Sequence, residues 1–117
     1  RGSKAAELFL KAKRFDLLAN FYLERNIFDK AAHYYTCAGM HEKAAEIYDQ
    51  LLKQFPQLKE IPGEIPRRPL EEIKITRLAA SAHSRSENYK YAASLYQRIG
   101  EFKNEAKNRK FAGDTTV

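Results

Sequence analysis

The sequence predicts an all-α protein, built as a solenoid of antiparallel helical hairpins with about seven helices in a single domain over residues 1–117. Three observations carry this. Small and aromatic residues recur at a fixed step of 13. All four prolines, Pro56, Pro62, Pro66 and Pro69, fall in one stretch. No segment alternates apolar and polar residues between turn signals, as a half-buried strand would.

The repeat can be read directly. Ala6, Ala19, Ala32 and Ala45 stand 13 apart, and the same step joins Phe9, Tyr22, Tyr35 and Tyr48. Leu8, Phe21, Tyr34 and Ile47 form a third column, and Phe28 follows Phe15 at the same interval. Such a period fixes the architecture, because each unit can bury its apolar face only against its neighbours. One unit holds about ten residues of helix and a turn of about three, or roughly 15 Å of helix. Within a unit, two alanines and an aromatic share a face at helical spacing. Alanine lets neighbouring backbones approach, and the aromatic fills the space beside it.

Helices are expected near residues 4–13, 16–25, 29–38, 42–54, 70–84, 88–99 and 102–111. Asp16 and Asp29 each follow an aromatic and precede a periodic run, which suits an N-cap. Gly39 and Gly100 stand where a left-handed residue closes a helix. Pro69 precedes Leu70, Glu71 and Glu72, a first turn with acids facing the positive end of the helix dipole. Residues 55–69, which contain all the prolines, can be neither regular helix nor central strand. They read as an ordered surface loop between the first four helices and the last three, anchored by Leu58, Ile61 and Ile65. The alternative is a flexible linker between two units.

The segment from Gly39 through Ala44, Ala45, Ile47, Tyr48 and Leu51 to Pro56 resembles the second-helix half of a tetratricopeptide repeat. Tyr89, Ala92, Tyr96 and Ile99 resemble the same half again, and Ala31, Ala32 and Tyr35, with Ala79 and Ala80, resemble the first half. The likeness covers most of residues 4–112. Helix pairs recur here at 26 residues, shorter than the family's spacing, and residues 55–69 are inserted. Short helices of this kind are similar to the solenoids of intraflagellar-transport, coatomer and clathrin-type trafficking subunits.

That resemblance implies binding: a non-enzymatic protein–protein interaction module, a scaffold segment of a larger assembly such as a transport or trafficking complex. In the family, the first helix of each pair lines a concave groove whose basic and amide residues clamp a peptide carboxylate. Carried onto the helix at 70–84, those positions mark Lys74, Arg77, Ser81, Ser84 and Arg85 as partner-binding residues. Their separations of three, four and seven put them along one stripe, and guanidinium groups suit bidentate contact with an acidic partner. The earlier helix offers Asn26, Asp29, Lys30 and His33 and departs from the clamp pattern. The competing reading is a stripe that only solvates an exposed face.

Composition and charge bound the alternatives. Hydrophobic residues make up 44% and charged residues 31%, a globular balance that excludes intrinsic disorder. Lys plus Arg number 21 against 15 Asp plus Glu, a formal charge of +6. The excess lies towards the C-terminal half, +4 over residues 76–117 against +2 over residues 1–54. It can meet an acidic protein, a phospholipid surface or RNA, or merely keep the chain soluble. A basic nucleic-acid-binding helical domain is therefore the alternative function, with Tyr34, Tyr35, Tyr48, Tyr91 and Tyr96 as stacking platforms; repeat-position packing is the better reading of those rings. An oligomerisation segment is the third, because Ala5, Ala6, Leu8, Phe9 and Leu10 make an apolar first helix able to self-associate. That helix also reads as an internal piece of a longer solenoid, with Arg1-Gly2-Ser3 as an expression remnant.

Chemistry-bearing residues are few. Cys37 is the only cysteine, so no internal disulfide forms and an intracellular, cytoplasmic setting is expected. His33 and Cys37 could supply two zinc ligands, but no second pair completes a tetrahedral site. His41 and His83 add no ligand spacing, and Cys37 reads as a packed residue of an Ala/Tyr helix. Neither a glycine-rich phosphate loop nor a nucleophile elbow is present. No metal, cofactor or enzymatic activity is expected, and no apolar run approaches a membrane span. Asp114-Thr115-Thr116-Val117 resembles a ligand of PDZ domains.

Overall fold

The 13-residue period is realised as short helices joined by tight turns. The structure, a computed structural model, describes residues 2–59 and 61–113, and seven helices lie among them. They are α1 (Gly2–Lys11), α2 (Phe15–Glu24), α3 (Phe28–Cys37), α4 (His41–Leu52), α5 (Leu70–Arg85), α6 (Tyr89–Arg98) and α7 (Phe102–Phe111). No strand occurs among the described residues. Each helix packs against its neighbours in chain order, α4 on α5 included, which makes the fold an α-solenoid. α1 sits more loosely on α2 than the later helices sit on one another. The result is a slab of 53 × 30 × 16 Å with a radius of gyration of 16.1 Å, where a compact globule of this length would have about 13 Å.

The turns carry a second period. Lys13, Asn26 and Gly39 have positive φ, as do Glu87, Gly100 and Gly113. They fall 13 apart on each side of the long loop and close the helix before them. Only half are glycine, although an L side chain is strained in this region. Gly100 has a further reason to lack a side chain: a Cβ there would stand 3.0 Å from Ile65 Cδ1. The long loop thus touches the α6–α7 turn at that point.

Asp16 and Asp29 are not N-caps. α2 and α3 begin one residue earlier, at Phe15 and Phe28, and the residues before them, Arg14 and Ile27, make no side-chain cap. Once Lys13 or Asn26 has turned the chain, a single residue with φ near −90° suffices to enter the next helix. The acids act instead from within the first turn, where negative charge favours the dipole. Arg14 holds Asp16 with two hydrogen bonds of 3.3 Å and keeps its carboxyl below the usual carboxylate range.

The repeat columns form the core. Ala19, Ala32 and Ala45 are buried, as are Ala79, Ala80, Ala92 and Ala93 beyond the loop, with Tyr35, Tyr48 and Tyr96 packed among them. Burial fades towards the N-terminus. In one column Ile47 is buried, Tyr34 and Phe21 half-buried, and Leu8 exposed. Tyr34 lies between Phe15 and Tyr22, its ring parallel to both at centroid distances of 6.1 and 5.7 Å. Tyr91 departs from the packed set and is partly exposed. Cys37 departs too: α3 buries Ala31, Ala32 and Tyr35, and Cys37 falls on the exposed side of the helix.

Burial holds the Tyr35, Tyr48, Tyr91 and Tyr96 hydroxyls above the ordinary value of 10.0. The folded chain then binds these protons more tightly than the unfolded one. The stability they contribute is complete below pH about 10 and is lost as pH rises through their folded-state values. Melting temperature is expected to fall above pH about 10, and less steeply in a Tyr48→Phe/Tyr96→Phe protein. Thermal melts by circular dichroism across that range check this; equal slopes for the two proteins would refute it.

Residues 53–59 and 61–69 contain no helix. Leu58 and Pro66 are half-buried, whereas Ile61 and Ile65, both expected as anchors, are about half exposed, Ile65 touching the fold at the Gly100 turn. A stronger tie is the ion pair Arg68–Glu72, at 2.7 Å with both side chains only 6% exposed. Asp114-Thr115-Thr116-Val117 lies outside the described residues.

Candidate functional site

α5 is the longest helix and has packed neighbours on both sides, α4 and α6. Its buried face is Glu72, Ile75, Thr76, Ala79, Ala80 and Ala82. Three residues named from the sequence, Lys74, Arg77 and Arg85, are exposed, while Ser81 and Ser84 are half-buried.

The two arginines of this stripe meet different surroundings. Arg77 Nε donates to Glu101 Oε2, and Asn104 donates to the other oxygen of that carboxylate at 3.1 Å. Arg77 thus ties α5 to the start of α7, in an ion pair whose guanidinium side remains about half exposed. An exposed pair of this kind contributes about 0–1 kcal/mol, so Glu101 is a replaceable partner. Arg85 lines a shallow groove of about 400 Å³ with Gly39, Met40, Glu42 and Lys43. Both arginines act on the Tyr96 hydroxyl and oppose the upward push of burial and of Glu101. The stripe therefore splits: Arg77 pairs with Glu101 at the start of α7, and Arg85 lines a separate groove beside the α3–α4 turn.

A second cluster gives no signal in the sequence. His83 Nε2 and Asp49 Oδ2 are 2.8 Å apart, Asn88 reaches Nδ1 at 3.3 Å, and Tyr91 stands edge-on to the imidazole at a centroid distance of 4.5 Å. This joins α4, α5 and α6 through residues 34 apart in the chain, a distance no helical period connects. On α3, His33 Nε2 lies 3.7 Å from Cys37 Sγ. No three His, Cys, Asp or Glu side chains come together in a metal-holding arrangement among the described residues.

At the N-terminal end an open groove of about 410 Å³ is lined by Ala6, Leu10, Leu18, Phe21, Tyr22 and Tyr34 among others. Leu8 and Leu10 stand exposed beside it. No helix among the described residues is long and apolar enough to cross a membrane.

Comparison with protein-family models, with curated proteins and with solved structures finds no match. The chain's own architecture places it among all-helical solenoids.

Proposed function

We propose that this chain is a non-enzymatic protein-interaction module, a tetratricopeptide-like scaffold segment of a larger assembly of the transport or trafficking kind. One observation carries the reading most. The slab exposes 8286 Å², where a globular protein of this mass exposes about 6,500 Å². A one-layer stack of short helices produces that excess, and extended faces of this sort are what solenoids use to hold partners. The α5 stripe supplies a basic place on such a face, with Arg77 able to exchange Glu101 for a carboxylate of an acidic partner.

The aromatic rings support protein binding over nucleic-acid binding. Tyr35, Tyr48 and Tyr96 are buried and Tyr34 is stacked between two other rings, so these four are occupied inside the fold. The test is capture of a partner from extract with and without nuclease, followed by affinity measurements on the purified pair. The same protein partner is expected from both extracts. Its affinity should weaken more for Arg77→Ala and Arg85→Ala than for Lys11→Ala. Capture that disappears with nuclease, with affinity falling steeply with salt, would favour the nucleic-acid reading instead. Equal weakening by all three variants would reduce the stripe to general electrostatics.

A further inference from the structure

Arg98, at the end of α6, lines three neighbouring surface depressions. It lines a groove of about 650 Å³ between residues 61–66 and α6, and a second of about 500 Å³ beside α4. It also lines a small cavity of about 80 Å³ beneath the long loop, with Gln57, Arg68 and Glu72. That volume is several times what one water needs. Arg98 is half-buried and makes no ion pair among the described residues. Beside it, Arg68 has its side chain 6% exposed and donates through Nη1 to Glu72, while its Nε–H is shut from solvent with no acceptor among the described residues. Buried guanidinium groups are costly unless their donors and charge are matched.

We propose that this cavity is a carboxylate site, taken by a Glu or Asp side chain of an extended acidic segment of a partner protein. The proposal rests on the interaction-module reading and gives it a second place, separate from the α5 stripe. Charge selects the occupant. Two guanidinium groups and the Glu72 carboxylate leave one positive charge, which a single carboxylate neutralises; a phosphate dianion would overfill the site and face Glu72. Geometry agrees, since a planar carboxylate accepts two parallel hydrogen bonds from a guanidinium fork. The larger groove adds room for uncharged residues flanking the acid, since Glu64 also lines it, with Ile61, Ile65 and Phe102 exposed along it as apolar contacts.

The experiment is a titration followed by ¹⁵N NMR of the arginine Nε–H signals. The probes are acetyl-Leu-Glu-Leu-amide, its Gln counterpart and inorganic phosphate. The Glu peptide is expected to move the Arg98 and Arg68 signals along one saturable curve. The Gln peptide should bind at least about tenfold more weakly, the ratio of a charge-assisted to a neutral pair of bonds. Arg98→Gln should abolish the Arg68 shift. Arg98→Lys, which keeps the charge and the fold but loses the fork, should weaken it by about tenfold as well. The proposal is overturned if the Glu peptide gives no saturable shift, if the Gln peptide binds equally, if Arg98→Lys binds like the native chain, or if phosphate binds more tightly than the Glu peptide. Any of these removes the site while partner capture, assayed separately, still decides the interaction-module reading.

Discussion

Glu72→Ala is expected to destabilise the protein by about 3–5 kcal/mol, a large share of the roughly 5–15 kcal/mol that holds a domain of this size together. The reason is the state in which it leaves Arg68. With both side chains only 6% exposed, the Arg68–Glu72 pair is shielded from bulk solvent on the loop side of α5, beside the small cavity it lines with Arg98. Removing the carboxylate leaves a buried guanidinium whose Nε is already without an acceptor among the described residues. Arg68→Ala should cost a comparable amount, since it strands the carboxylate instead. Replacing both by methionine should return most of the loss, because a buried pair replaced by apolar groups of similar volume is close to neutral. Urea melts of the native protein, the two alanine variants and the Arg68→Ala/Glu72→Ala double variant form a double-mutant cycle whose coupling energy is the quantity that decides, with the double methionine variant melted beside them. Single variants that each lose less than about 1 kcal/mol would mean that the loop opens and solvates the pair, as exposed pairs are solvated.

How far the sequence could be read follows from the range of each signal. The helices were legible because a 13-residue step in alanine and aromatic residues depends only on neighbours along the chain. Their starts were legible to within two residues. The N-cap expectation at Asp16 and Asp29 failed because the residues that set the register, Lys13 and Asn26, adopt positive φ without being glycine. Asparagine favours that region, but nothing in the chemistry of Lys13 announces it; there only the period shared with Gly39 does. The α5 stripe was legible as spacing. The capture of Arg77 by Glu101, 24 residues away, was not, because it depends on where the α6–α7 turn lies relative to α5. Arg68 and Glu72 lie four apart, and on sequence alone such a pair is indistinguishable from any solvated i,i+4 pair. Their burial comes from the loop passing over them, with Leu58 and Pro66 half-buried in it. The Asp49–His83–Tyr91 cluster has the same origin: it exists only because α4, α5 and α6 are consecutive layers of one stack.

Ala93→Leu and Ala45→Leu are each expected to cost about 1–3 kcal/mol by overpacking. Ala93 is fully buried on α6, which packs against α5 and α7, and Ala45 is 3% exposed in the core cluster. Helices crossing through alanine approach at the short end of the roughly 8–10 Å range, and a leucine there must push the backbones apart or take a strained rotamer. In a solenoid that displacement is not absorbed locally, because every helix beyond the contact is carried with it. The fall in melting temperature should be about 4–8 °C for each kcal/mol lost. Position 106 provides the control. Ala80, Ala93 and Ala106 stand in one column at the same 13-residue step, yet Ala106 on α7 is exposed with no helix packed over it. Ala106→Leu should therefore change stability by no more than about 0.5 kcal/mol. Melts of the three variants separate burial from helix propensity, since the same substitution is made at all three and Ala93 and Ala106 share one column. A loss at Ala93 and Ala45 with none at Ala106 follows only if alanine is required by the stacking of one helix on the next. Equal effects at all three would place the helix–helix contact on another face and break the register on which the columns of Tyr35, Tyr48 and Tyr96 depend.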